Sequence, residues 1–263
     1  MRTAFVTGAS RGIGRATALR LARDGFDVAI GYRRDAEAAR RVADEVNGLG
    51  RRAVLVHADL GDLPAVDAAL DGLLTEWDHV DVFVANAAST AFKPLLETKP
   101  HHVEKTFAVT IQAFLGIVQR LAPGMSEGGR IVTVSGMDTH RYVAGHGVLA
   151  AAKSALETLT KYLAVELGPR GITVNAVNPG YVDTDSANLY FGGEENRRAF
   201  MEELEGSTPL RGMGTPEEVA DCIAWICSPE AAWLQAQTIY LDGGVFLHAP
   251  GHSVRWWKRT GRE

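Results

Sequence analysis

Apolar residues along this chain come in short β-branched runs, separated by longer stretches in which apolar positions recur every three or four residues. The runs predict strands at Ala4–Thr7, Asp27–Ile30, Ala53–His57, Val82–Ala85, Arg130–Val134, Thr173–Asn178 and Thr238–Leu241. The amphipathic stretches predict helices beginning near Ile13, Ala36, Leu63, Pro100, Gly147 and Pro216. Strand and helix alternating in this way is the signature of repeated βαβ units, because two parallel strands need a crossover between them. The expected fold class is therefore α/β, a doubly wound parallel sheet of about seven strands with helices on both faces. No linker or repeat divides the chain, so a single domain is expected over residues 1–248. The longest departure from alternation, Tyr181 to Thr208, is rich in Gly, Asp, Glu and Asn. It reads equally well as a surface excursion or as a lid-like insertion, about residues 184–212, over a substrate pocket.

Composition narrows the class of protein. With 46% apolar and 22% charged residues the chain can fill a large core, and it holds no run of the roughly 20 apolar residues that a membrane span needs. The first strand starts almost at Met1, which leaves no space for a secretory signal, and a cytoplasmic protein without membrane partners is expected. Cys222 and Cys227 fall on one predicted helix at a spacing that suits neither a disulfide framework nor a metal site, so packing is their expected role. A net charge of −5 gives no general attraction to nucleic acid. The end of the chain, residues 249–263, is locally basic and aromatic (Arg255, Trp256, Trp257, Lys258, Arg259, Arg262) and reads as a subunit or lid contact.

The strongest chemical signal is Thr7-Gly8-Ala9-Ser10-Arg11-Gly12-Ile13-Gly14, set between the first strand and the first helix. Glycines there allow a tight turn and let a pyrophosphate reach the backbone, while the helix start offers unpaired N–H groups and the positive end of its dipole. Its position after an N-terminal strand makes Gly8, Ser10, Arg11, Gly12, Ile13 and Gly14 a dinucleotide cradle. The second strand runs into Gly31-Tyr32-Arg33-Arg34. An acid at that point would accept from the ribose of NAD; Arg33 and Arg34, helped by Arg11, instead make forked contacts with a 2′-phosphate and predict NADPH as cofactor. Asp35 remains available to a ribose.

Together with this glycine segment, Ala58-Asp59-Leu60, Ala85-Asn86-Ala87-Ala88-Ser89, Ala152-Lys153-Ser154 and Asn178-Pro179-Gly180-Tyr181-Val182-Asp183-Thr184 follow in an order that resembles the short-chain dehydrogenase/reductase superfamily over nearly the whole chain. The resemblance implies a Rossmann-like sheet with strand order 3-2-1-4-5-6-7. It implies that Asp59, with Leu60 beside it, accepts from the adenine amino group, and that Asn86 and Ala87 line the adenosine side. Lys153 would hold the nicotinamide ribose, and the segment after Pro179 and Gly180 would hold the carboxamide through Val182, with Thr184 near the carboxamide or pyrophosphate. It also implies a homotetramer or homodimer built through Thr106–Leu121 and Ala150–Leu167.

The catalytic centre departs from that pattern. Carbonyl-reducing relatives carry a tyrosine four positions before the lysine, a serine at the end of the fifth strand and an asparagine in the preceding helix; here Leu149, Gly136 and Thr110 stand there. Ser135 lies one residue early, and strand alternation points it to the other face. Ketone reduction builds a strongly basic alkoxide that needs a nearby acid, whereas reducing an enoyl thioester leaves a delocalised enolate that needs mainly donors at its oxygen. Asn86-Ala87-Ala88-Ser89, Arg141-Tyr142-Val143, Lys161–Leu167 and Val182-Asp183-Thr184-Asp185 resemble the NADPH-using branch of the enoyl-acyl-carrier-protein reductases. That branch places its tyrosine seven positions before the lysine, which is His146 here. His146 and Tyr142, with Lys153, are thus the expected catalytic residues, and no metal is expected. Asp138 and His140 fall in the same loop. Three functions remain open: an enoyl-thioester reductase acting on a coenzyme A or carrier-protein substrate, a carbonyl reductase with a relocated proton donor, and a non-catalytic NADP-binding protein. His101 and His102, at a helix start, read as surface.

Overall fold

The computed structural model describes residues 2–89, 91–205, 208–210 and 212–247, so the basic and aromatic tail lies outside the described residues. Seven parallel strands form one sheet in the order β3-β2-β1-β4-β5-β6-β7, as the resemblance implies. They are β1 (Thr3–Val6), β2 (Asp27–Tyr32), β3 (Ala53–His57), β4 (Val82–Ala85), β5 (Arg130–Val134), β6 (Thr173–Pro179) and β7 (Thr238–Leu241). Between them run α1 (Gly12–Arg23), α2 (Ala36–Gly48), α3 (Leu63–Glu76), α4 (Pro100–Phe107), α5 (Ala113–Leu121) and α6 (Gly147–Leu167). After β6 come α7 (Asp185–Phe191), α8 (Glu194–Glu205) and α9 (Pro216–Ile226).

Both faces of the sheet are covered, which is why its strands read as nearly continuous apolar runs. Alternate residues serve opposite layers: Ala4, Val6, Val82 and Val84 pack with Leu19, Val42 and Ile223 of α1, α2 and α9. Phe5 and Phe83 face the other way, onto Leu70, Ile117 and Leu156 of α3, α5 and α6. Phe5 stacks on Phe83 at 5.6 Å between ring centres. Cys227 is buried in the first layer, unpaired, with its thiol pushed up to about 12 by burial, in keeping with a packing role. No helix among the described residues is long and apolar enough to cross a membrane, and no cluster of metal-ligating side chains occurs among them.

Several element ends differ from expectation, each for a local reason. β2 continues to Tyr32, because β3 offers Val56 and His57 as pairing partners for Gly31 and Tyr32. The helix expected from Pro100 is divided by a π-helical turn over Ala108–Gln112, a feature that often marks functional sites. Tyr181 to Thr208 contains two helices that strand–helix alternation does not predict; Phe191 and Leu204 bury their side chains there, with Tyr181, Phe200 and Met201 packed around them.

Candidate active site

The strand order reverses direction at β1, whose neighbours are β2 and β4. At the carboxyl ends of these strands, where doubly wound sheets bind ligands, lies a cavity of about 560 Å³. Its floor is the glycine loop. Gly12 holds a φ of +55°, a left-handed conformation that turns the chain into α1. Gly14 is confined further: a Cβ there would stand 2.2 Å from the Gly8 carbonyl oxygen. Asn86 fixes the loop from β4, its Nδ2 donating to the carbonyls of Thr7 at 3.0 Å and Gly8 at 3.3 Å. The N-terminus of α1 carries neither a capping side chain nor an acid in its first turn, so its free N–H groups face the cavity as an anion site.

One end of the cavity is lined by Tyr32, Arg33, Arg34, Asp59 and Leu60. Arg33 stands 3.7 Å from Asp59. Burial works to raise the Asp59 carboxyl, but the Gly61 N–H and the charge of Arg33 outweigh it and hold the group below its usual range. Arg11 and Arg34 also line the cavity and have no carboxylate partner among the described residues. Asp35, the acid left open for a ribose, also lines the cavity and caps α2 with one oxygen, accepting from Ala38 N–H at 2.9 Å.

The other end is bounded by Val134, Ser135, Leu149, Lys153, Pro179 and Thr184. Lys153 is 4% exposed and donates through Nζ to the Val134 carbonyl. Burial pulls its amine down to about 8, against the opposing pull of Asp138 and Glu157. Ser135 is turned away, as strand alternation predicts, and its hydroxyl donates to Glu157 Oε1 at 2.5 Å. The serine position of relatives is filled in another manner: a Cβ on Gly136 would lie 2.8 Å from Asp138 Oδ1. Asp138 is 5% exposed at its side chain, and its other oxygen meets His146 Nδ1 at 3.1 Å. The His146 ring stacks on Phe92 and meets the edge of Tyr190, with centres 5.0 Å and 5.1 Å away.

Of the expected cofactor residues, Gly8, Ser10, Arg11, Gly12, Ile13, Arg33, Arg34, Asp59, Leu60, Asn86, Ala87, Lys153, Pro179 and Thr184 line the cavity. Three of the expected residues are not part of the cavity wall. Gly14 lies beneath the loop, packed on Gly8. Gly180 is pressed against Asp242, where a Cβ would sit 2.8 Å from its Cα. Val182 is buried and tied by a bridge to Gly214, so neither it nor Gly180 forms cavity wall here. Among the expected catalytic residues, Tyr142 is 92% exposed and stands outside the cavity wall, because the loop at Arg141–Val143 carries it into solvent. His146 is the N-cap of α6, just under one turn before Leu149, and like Tyr142 it is not part of the cavity wall; it sits behind it, packed on Phe92 and Tyr190.

Sequence reasoning does not single out Glu157, and it places Asp138 only in the loop before α6. Glu157 gathers Ser135, Thr139 at 3.2 Å and Asn178 at 2.9 Å behind the lysine. Its spacing of four from Lys153 puts it on the same helix face, which is the signal that finds it. Asp138 has no such periodic signal, since its place depends on a turn of 3-10 helix over Met137–Thr139.

Comparison with known proteins agrees with this geometry. The sequence model of the family described as enoyl-(acyl carrier protein) reductase matches residues 8–246. This chain belongs to the short-chain dehydrogenase/reductase superfamily. Among members of the superfamily, the 1-cyclohexenylcarbonyl-CoA reductase of Streptomyces collinus is 36% identical over 95% of this chain and 88% of its own length. The hydroxynaphthalene reductase arp2 of Aspergillus fumigatus is 32% identical over 90% of this chain and 89% of its own. The structure of the angucycline C-6 ketoreductase LanV with bound NADP superposes with a TM-score of 0.86, at 36% identity, covering 94% of this chain and 96% of that one. The protein is thus a short-chain oxidoreductase.

Proposed function

We propose that this reductase uses NADPH to saturate the carbon–carbon double bond of an enoyl thioester, presented by coenzyme A or by a carrier protein. The observation that carries the reading is Leu149, which stands in the cavity wall beside Lys153 where ketone-reducing relatives have their phenol. The dinucleotide, when bound, supplies a hydride to the substrate carbon. The chain's own residues fit that cofactor: glycines too confined for a side chain, a helix start without a cap, and Arg11 and Arg34, which have no carboxylate partner among the described residues. Arg33, Arg34 and Arg11 would hold the 2′-phosphate, Asp59 the adenine and Lys153 the second ribose.

At the substrate, Leu149 has no proton to deliver, which disfavours a product that must become an alcohol. An enolate spreads its charge between carbon and oxygen, so a single donor to the oxygen suffices, and the α-carbon takes its proton from water. His146, in the position that enoyl-reducing relatives give to tyrosine, is that donor. Tyr142 would reach it only if the Arg141–Val143 loop moved inward. A relative named as a cyclohexenylcarbonyl-CoA reductase supports the substrate class. The competing reading, reduction of a ketone with His146 as proton donor, is favoured by the relatives named as hydroxynaphthalene reductase and ketoreductase.

The segment at residues 184–212, with α7 and α8, would act as a lid, since Tyr190 touches His146 from it. Exposed Tyr162 and Val165 on α6, 66% and 75% accessible, would form part of a subunit interface in a homodimer or homotetramer. NADPH consumption followed optically against matched enoyl and β-keto thioesters tests the reading. Turnover of the enoyl substrates is expected; turnover of ketones alone would overturn it, and tight NADPH binding with no turnover would indicate a binding protein.

A further inference from the structure

We infer that Asp138 is a positioning residue that assigns the two nitrogens of His146 separate duties, making Nε2 the atom that donates to a substrate oxygen. The reading starts from an absence in sequence, the glycine at position 136. With no side chain on Gly136, the carboxylate of Asp138 enters the space that a serine would occupy, 2.8 Å from where the Cβ would be. It is buried there, and His146 Nδ1 lies 3.1 Å away. A carboxylate only accepts, so Nδ1 must carry a hydrogen to meet it. That leaves Nε2, which is buried and has no hydrogen-bond partner among the described residues. A buried ring nitrogen without a partner carries a desolvation cost, which a substrate oxygen would relieve.

The ring is also fixed in orientation. Phe92 stacks on one side at an interplanar angle of 29°, Tyr190 meets it edge-on at 90°, and Asp138 holds one nitrogen. A half-turn of the ring would put Cδ2 where Nδ1 stands and break the contact with Asp138. Because Asp138 keeps a hydrogen on Nδ1 in both charge states of the ring, the ring's change of state takes place at Nε2. When the ring is charged, Nε2–H donates to the oxygen. With an alkoxide the N–H bond breaks, an O–H bond forms and the pair left on Nε2 makes the imidazole neutral, whereas an enolate oxygen keeps only the hydrogen bond while its α-carbon takes a proton from water. Asp138 in turn favours the charged form of Lys153 against burial. The Asp138–His146 pair thus stands where relatives carry their serine and tyrosine.

The inference rests on the reductase reading only for the nature of the oxygen, an enolate or an alkoxide. Its test therefore reads the ring itself. Two-bond proton–nitrogen correlation spectra of the nitrogen-15-labelled protein, with and without NADP, report the tautomer of each of the 8 histidines. The His146 signals are found by their loss in His146→Phe. The neutral ring of the wild type should carry its proton on Nδ1, and Asp138→Asn, whose amide can donate to Nδ1, should move the proton to Nε2. With whichever thioester is turned over, Asp138→Asn should lower kcat by about 10- to 100-fold with little change in KM or in NADPH affinity. An Nε2–H ring in the wild type would overturn the inference, and that spectrum needs no variant to fold. Unchanged ring shifts in Asp138→Asn, or a loss confined to KM, would overturn it too. Failure of all enoyl substrates with the Nδ1–H ring intact would count against the proposed reaction and leave Asp138 in place.

Discussion

At residue scale the site is governed by what has no room and what has no water. Gly14 belongs to the first kind: replacing it with alanine puts a methyl 2.2 Å from a carbonyl oxygen of its own loop. Gly14→Ala should displace the glycine loop, lowering stability by about 1–3 kcal/mol in urea denaturation and abolishing detectable NADPH binding. Lys153 belongs to the second. Its amine loses its proton near pH 8 in the folded protein and near the ordinary 10.5 when unfolded. Between those values the unfolded chain binds more protons, so this group makes stability rise with pH across that window, and below it the buried charge opposes folding. Lys153→Met should therefore be more stable than wild type at pH 7 by up to about 3 kcal/mol, with the gap closing as pH approaches 10. Parallel denaturation curves at the two pH values check this, and a gap independent of pH would refute it. Lys153 and Leu149 are legible from spacing alone, because both lie on one regular helix. Asp138 is not, since only the folded loop brings it into the space above Gly136.

At the scale of elements, the informative feature is the π-helical turn between α4 and α5. It buries Thr110, at the asparagine position of relatives, with its hydroxyl lacking a partner among the described residues. An unpaired buried hydroxyl costs about 1–3 kcal/mol relative to a satisfied one. Thr110→Val, nearly the same shape, should then leave stability unchanged or raise it, and thermal unfolding measures the sign. A marked loss would mean that the hydroxyl is satisfied by water. The turn is invisible in the sequence because its apolar pattern continues smoothly through Val109, Ile111, Phe114 and Ile117. The helices α7 and α8 escape for another reason: their buried residues pack on each other in a cluster apart from the sheet, so they follow no strand-facing period.

For the whole molecule, parallel topology explains why so much was readable. Both sheet faces are buried, so strand positions and their order of appearance leave a strong apolar signal, and the cavity must fall where β1 meets β4. The cofactor preference also belongs to this scale, because it depends on charge gathered from the glycine loop and the end of β2. The double variant Arg33→Ala/Arg34→Ala should weaken NADPH binding by at least about 10-fold while leaving NADH nearly unaffected; equal losses for both would remove the 2′-phosphate from the account. What remains to be decided at the centre is which bond receives the hydride. The direct measurement supplies NADPH deuterated at the reacting nicotinamide carbon with a substrate holding both a conjugated double bond and a thioester or ketone carbonyl, and locates the label by mass spectrometry. Deuterium on the β-carbon of a saturated acyl product is the result predicted here; deuterium on a carbinol carbon, with the double bond intact, would contradict it.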